Sequence, residues 1–417
     1  MTVLDTPALP TSIDERERPG RVGVWLIGAR GSVGTVVAVG LHAITTGVAA
    51  PTGCTTAGPE FAGVPLPAFG ELVLGGHDVS TVPLRVKAEA LADAGMIAPR
   101  YVAATAAALD ASDAEIATGY DPMTHRGAQA DAVRRLAADI SAFRERHGLD
   151  RVVVVDVSST EPIPRDVPEH HDPVLLAAAL ADPERAVLPA SSVSALAAIE
   201  SGSAYACFTP SAGLALPALQ QLAAERGIPF AGQDGKTGET LLRTAIAPMF
   251  TARGMRVLSW AGSNLLGGGD GATLADPEAV QSKLASKTRG LKSLVGEQVV
   301  APLHIDNVPD LGDVKTAWDH IHAEGFLSSR ITMQTIWTAY DSMLAAPLVL
   351  DLARLLSLAG AASERGVVPE LGFFFKDPWG SEVHDFAAQT RALHEWAQAT
   401  GDRVALAARA DAAGAHA

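Results

Sequence analysis

The apolar run Val22-Gly23-Val24-Trp25-Leu26-Ile27 passes straight into Gly28-Ala29-Arg30-Gly31-Ser32-Val33-Gly34, and an apolar stretch of helical character follows to about Leu41. A strand, a glycine turn and a helix in that order make the chain open on a βα unit. Glycines at 28, 31 and 34 allow a tight turn, let backbone N–H groups approach a pyrophosphate, and leave a helix N-terminus that favours an anion. The spacing is GxxGxxG rather than GxGxxG, so a purely structural turn remains open on these residues alone.

The unit recurs. A 3.6-residue period from Ala132 to Arg146 puts Leu136, Ile140 and Phe143 on one face, ahead of a buried strand Arg151 to Val157 and the polar Ser158-Ser159-Thr160-Glu161. Ala186 to Pro189 precedes Ser191-Ser192, and Pro229 to Ala231 precedes Gly232-Gln233-Asp234-Gly235-Lys236-Thr237-Gly238. Helices alternating with short buried strands predict a doubly wound parallel sheet, whose ligands lie beyond the carboxyl ends of the strands. After about Thr240 the texture changes to a glycine cluster, a lysine-bearing stretch and alternating segments at Val299 to Val308 and Ile331 to Trp337. Residues 241–341 therefore read as an α+β insertion in a Rossmann-like α/β domain of 21–240 plus 342–400. The apolar Ala345 to Ala359 returns as a helix on the first sheet, while 1–20 reads as a flexible arm and 401–417 as a flexible tail.

Charge and cysteine usage exclude several functions. With 32 Lys+Arg against 47 Asp+Glu in 417 residues, the net charge is −15, and no cationic cluster suited to a phosphate backbone is visible, so nucleic acid is not an expected partner. Cys54 and Cys207 cannot build a disulfide framework or a Cys-based zinc site, which fits a reducing cytoplasm. No apolar run approaches the ~20 residues needed to cross a bilayer, and no signal core is visible, so neither membrane nor export is expected. His170-His171 lies in a Pro/Glu-rich loop with no suitably spaced third ligand, and no metal site is expected.

Two groups of residues could carry chemistry. Asp78, ending Leu72 to Asp78, is the candidate for ribose hydroxyls, with a helix cap for the segment from Val79 as the alternative. Lys283 and Lys287, in Ser282-Lys283-Leu284-Ala285-Ser286-Lys287, share a helical face and repel unless an anion sits between them; a solvated cationic face is the alternative. Asp270 lies just upstream among glycines. Lys315 follows Leu311 to Val314, and Lys376 ends the aromatic run Phe373-Phe374-Phe375.

Assembled in order, these segments resemble the inositol-3-phosphate synthase (myo-inositol-1-phosphate synthase) family from about Val22 to Lys376. Gly28 to Gly34 is similar to its NAD loop and Gly76-His77-Asp78 to its ribose contact. Ser159-Thr160-Glu161 is similar to Asn-Thr-Glu, and Gly232 to Thr240 to Gly-Asp-Asp-x-Lys-Ser-Gly-Gln-Thr. Lys283 and Lys287 fall in a Ser-Lys-x-x-Ser-Lys motif, and Asp341-Ser342-Met343-Leu344-Ala345-Ala346-Pro347 resembles Asp-Ser-x-x-Ala-x-Pro.

The resemblance implies an NAD-dependent isomerase, a homotetramer, that closes D-glucose 6-phosphate to 1D-myo-inositol 3-phosphate. The implied course is oxidation at C5, enolisation at C6, aldol closure onto C1 and re-reduction at C5. Catalysis then falls to Lys283, Lys376, Lys315, Asp234 and Asp341. Substrate binding falls to Lys287, Thr237, Gly238, Asn264 and Leu266, and NAD binding to Gly28, Ala29, Arg30, Gly31, Ser32, Val33, Gly34, Asp78, Ser159, Thr160 and Asp270. Asp234 would orient Lys283 or relay its proton, and Asp341 would orient another lysine, with ordinary loop capping as the alternative for both.

The chain also departs from the family pattern. Gly268-Gly269 stands where the family has two asparagines, Gln233 replaces an aspartate, and Glu239 replaces a glutamine at the expected phosphate site, where a carboxylate would repel. Another hexose phosphate, such as fructose 6-phosphate closing to a five-membered ring, is the first alternative. A non-cyclising NAD-linked dehydrogenase and a non-catalytic NAD-binding protein follow.

Overall fold

A computed structural model describes residues 20–267 and 290–414. Strands β1 (Val22–Ile27), β2 (Leu72–Asp78), β3 (Ile116–Thr118), β4 (Arg151–Asp156), β5 (Ala204–Cys207) and β6 (Pro229–Gly232) alternate with helices. The helices are α1 (Ser32–Thr45), α2 (Leu84–Asp93), α3 (Pro99–Asp113), α4 (Gln129–His147), α5 (Pro173–Leu180), α6 (Ala190–Glu200), α7 (Pro217–Glu225) and α8 (Gly238–Ala252). Four further strands follow: β7 (Arg256–Leu266), β8 (Leu303–Asn307), β9 (Val314–Glu324) and β10 (Arg330–Tyr340). The chain closes with α9 (Asp341–Ala361), β11 (Gly366–Val367) and α10 (Phe386–Gly414).

The first sheet runs β11-β6-β5-β4-β1-β2-β3 with every described pair parallel. Because β1 pairs with β2 on one side and β4 on the other, the winding reverses there, and a crevice opens beyond the strand ends. Both sheet faces are apolar, so both need cover. Helices α1, α2, α3, α9 and α10 pack one face with Val24, Leu26, Val153 and Val155. Helices α4, α5, α6 and α7 pack the other with Trp25, Val152, Val154 and Tyr205. Helix α4 shows the local logic: Leu136, Ile140 and Phe143 are buried, and Gly148 ends it in the left-handed region at φ 58°.

The second sheet, ordered β10-β9-β7-β8, lays Trp260, Ile321 and Ala323 against Ala247 and Phe250 of α8. Its helix therefore begins at Gly238, slightly before the expected boundary at 241. At the other end, the expected flexible tail from 401 is the continuation of α10 to Gly414, because Leu393, Ala397 and Thr400 anchor its first half in the core. Residues 1–19 lie outside the described residues.

Helix α9 is long and apolar enough to cross a membrane, but most of it is buried in the core. It also holds a long loop in place. Asp351 accepts from Thr55 N at 2.7 Å and Thr56 N at 3.0 Å, and Arg354 donates to Pro67 O at 2.9 Å. That pins the excursion between α1 and β2, which is why Asp78 comes some 50 residues after the glycine turn and still ends the strand beside it.

Candidate active site

A cleft of about 830 Å³ opens at the carboxyl ends of the parallel strands. Its walls are the segments following β1 through β6, together with the start of α9, the β8–β9 connection and Lys376. The site is thus where the winding reverses, as the alternating pattern requires.

The glycine turn forms one end. Gly28 has φ 82°, and a Cβ there would stand 2.8 Å from Ser158 Cα, so only glycine fits. A Cβ on Gly34 would meet Ala29 O at 2.4 Å, so this glycine serves close packing inside the unit. Gly28, Arg30, Gly31, Ser32 and Val33 line the cleft; Ala29 and Gly34 do not. Asp78 also lines it, accepting from Arg30 N at 2.6 Å and Ser80 N at 2.7 Å. It does not cap a helix, since α2 begins only at Leu84. Ser159 and Thr160 line the cleft further along, beneath which Asp156 Oδ1 accepts from Ser158 N at 3.0 Å and Ser158 Oγ at 2.6 Å. Burial pushes the Asp156 carboxyl up to about 6. A glycine cradle followed by an acidic strand end fits a dinucleotide.

The other end carries two lysine–aspartate pairs. Lys376 Nζ meets Asp234 Oδ1 at 2.8 Å, and Lys315 Nζ meets Asp341 Oδ2 at 2.8 Å. All four residues line the cleft, and Thr237 Oγ1 donates to Asp341 Oδ1 at 3.3 Å. The main chain fixes the first pair. Gly235 bridges Phe375 in antiparallel fashion, Lys376 N donates to Asp234 O at 2.7 Å, and Lys236 N donates to Phe374 O at 2.8 Å. Asp234 was expected to orient Lys283 or relay its proton; among the described residues its lysine partner is Lys376. Lys283, Lys287 and Asp270 lie outside the described residues.

Of the substrate-binding candidates, Thr237 and Leu266 line the cleft, and Gly238 opens α8 behind Thr237. Asn264 differs from expectation. Its side chain is fully buried and donates to Glu239 Oε2 at 2.8 Å, away from the cleft wall. The same contact corrects the reading of Glu239 as a repelling carboxylate at the phosphate site. Glu239 turns inward and pairs with Arg243, whose guanidinium also meets Asp319 Oδ1 at 2.9 Å. Desolvation raises the pKa of Asp319, an effect Arg243 opposes. Gln233, another departure, accepts from Trp379 Nε1 at 3.0 Å, while Gly268 and Gly269 lie outside the described residues.

Sequence reasoning missed this inward network, because nothing in a linear motif shows that Arg243, one helical turn after Glu239, neutralises it. His170, in the Pro/Glu-rich loop, is buried, with Nε2 at 2.8 Å from Val187 O. Among the described residues, no group of three His, Cys, Asp or Glu side chains is placed to hold a metal ion.

The chain is similar to known proteins. The NAD-binding family model described as myo-inositol-1-phosphate synthase matches residues 22–398. Inositol-3-phosphate synthase 1 of Bacteroides thetaiotaomicron is 30% identical over 399 residues, covering 89% of this chain and 91% of that protein. The inositol-3-phosphate synthase of Drosophila melanogaster is 30% identical over 56% of this chain, a stretch spanning 43% of the fly protein. Among solved structures, inositol-3-phosphate synthase from Caenorhabditis elegans superposes with TM-score 0.81 at 22% identity, covering 92% of this chain and 86% of that one, and shows the same fold. A myo-inositol-1-phosphate synthase-related protein from Thermotoga maritima gives TM-score 0.71 at 25% identity over 91% of this chain and 98% of its own.

Proposed function

Because the chain belongs to the myo-inositol-1-phosphate synthase family, an NAD-binding family of isomerases, we propose that its cleft closes D-glucose 6-phosphate to 1D-myo-inositol 3-phosphate. The observation that carries this reading is the pair of Lys–Asp contacts, Lys376–Asp234 and Lys315–Asp341, facing one cleft with the glycine turn and Asp78. NAD, held by the Gly28–Gly34 turn, would supply a hydride acceptor that is regenerated within one cycle, so the overall reaction is redox-neutral.

The chain's own residues supply the rest. Asp234 holds the Lys376 amine. As the C5 hydroxyl is oxidised, its proton passes to Lys376 Nζ while a Lys376 proton moves to Asp234 Oδ1. Lys376 then donates to O5 as enolisation puts charge on that oxygen. Lys315, oriented by Asp341, donates to O1 when the enolate carbon attacks the C1 aldehyde. Such donors, preorganised where charge develops, are worth ~3 kcal/mol each. Thr237 and the N-terminus of α8 hold the phosphate, whose dianion is placed to take the C6 proton.

Self-association belongs to the same reading. The face of the second sheet turned away from α8 carries the cross-strand pair Trp318 and Ile336, with 39% and 75% of their surface exposed. A second copy of the chain covering it would bury this pair as one interface of the homotetramer, which takes a further interface to complete.

Glucose 6-phosphate carrying deuterium at C5 tests the function. A cyclitol phosphate retaining that deuterium supports it. A five-membered product from fructose 6-phosphate, with none from glucose 6-phosphate, replaces it with the alternative cyclase.

A further inference from the structure

Lys236 is part of the Gly232–Gly238 turn, yet its amine does not reach the cleft. The residue is 3% exposed, and among the described residues its Nζ donates to Gln389 Oε1. The Phe373 and Phe386 rings stand 5.8 and 6.0 Å away. Gln389, 4% exposed at the start of α10, is itself held, its Nε2 donating to Gly372 O at 3.1 Å and Val383 O at 2.6 Å. This side-chain chain therefore joins three segments: the turn bearing Asp234, the turn ending in Lys376, and α10.

The energetics make the amine a poor choice for stability alone. A buried ammonium facing an amide and two rings loses most of its hydration without a counter-charge. Charged groups on the surrounding elements are engaged elsewhere: Asp234 with Lys376, Glu239 with Arg243, and Asp385 with Ala388 N at 2.7 Å. Asp377 and His384 belong to the same stretch, but desolvation alone accounts for a Lys236 pKa lowered to about 7. Met, of similar length, would fill the same space at no such cost.

We propose that Lys236 is a positioning residue of the cyclase. Through Gln389 it locks the paired turns so that Asp234 and Lys376 keep their 2.8 Å contact and Lys376 keeps its aim. The inference rests on the proposed reaction, but the reaction fails or stands on the wild-type protein, whereas this role fails or stands on variants.

Lys236→Met separates the two functions of the residue. The folded chain sheds the Lys236 proton near pH 7, whereas an unfolded chain keeps it to about 10.5. The wild type is therefore penalised most below pH 7, and the penalty fades as pH rises towards 10.5. Lys236→Met is expected to melt at or above the wild-type temperature at pH 6, with the gap narrowing by pH 9. Its kcat is expected to fall about tenfold with substrate KM within twofold. Gln389→Met, which cuts the same link at its other end, is expected to lose kcat to a similar degree, and the double variant no further. Turnover within twofold of wild type in Lys236→Met overturns the proposal. So does a kcat loss accompanied by a lower melting temperature at pH 6, which would make the link a structural tie only.

Discussion

Lys376 and Asp234 are 142 residues apart in sequence and 2.8 Å apart in the cleft. The resemblance indicated both residues, but only the fold indicates that they are partners. Lys376→Ala removes a donor at O5 and is expected to lower kcat about 100-fold, on the ~3 kcal/mol scale of one preorganised donor; inositol phosphate formation measures it. Asp156 offers a test that does not depend on turnover. Burial lifts its carboxyl to about 6, above the 3.8 of an ordinary aspartate. The folded protein therefore takes up this proton first as pH falls, and the group's unfavourable contribution, present above pH ~6, is relieved between pH ~7 and ~4. Relative to Asp156→Asn, the wild type should gain up to about 3 kcal/mol on acidification over that window. Denaturant melts of both proteins from pH 7 to 4 check the sign. Asp78 was readable as a ribose contact or a helix cap, and the late start of α2 removes the second reading. The burial of Asn264 against Glu239 is not written in a motif.

At the scale of elements, the sequence was most legible where one physical requirement dominates. The strand, turn and helix from Val22 to Thr45 follow from burial and glycine geometry, and α9 follows from an apolar run that had to be covered. The segment Val299 to Val308 yields only the short β8, since its first residues form an isolated bridge from Val300 to Ser259. Helix α10 outran its expected end because buried contacts upstream override an Ala-rich tail. The α8–β7–β9 junction was illegible in sequence: Glu239, Arg243 and Asp319 are separately unremarkable polar residues. Together they form a buried charge cluster, with Trp260 Nε1 donating to Asp319 Oδ1 at 2.7 Å. Arg243→Leu strands two buried carboxylates and should cost about 3–5 kcal/mol. Chemical denaturation reads that loss directly. Glu239→Gln, which restores the family residue, should cost far less.

The whole molecule brings a nucleotide-type crevice and a second sheet together around one cleft. The first sheet contributes the glycine turn, Asp78 and Asp234; the second contributes Lys315 on β9 and, at its end, Asp341. Neither layer alone holds both lysine–aspartate pairs, which accounts for an insertion within the Rossmann-like unit rather than a domain attached after it. The central claim is that this cleft oxidises and re-reduces the same carbon without consuming its cofactor. The most direct measurement supplies glucose 6-phosphate in large excess over NAD, following absorbance at 340 nm and product by phosphorus NMR. Many turnovers to inositol 3-phosphate per NAD are expected, with no net NADH. NADH accumulating in step with substrate loss, without a cyclised product, would contradict it.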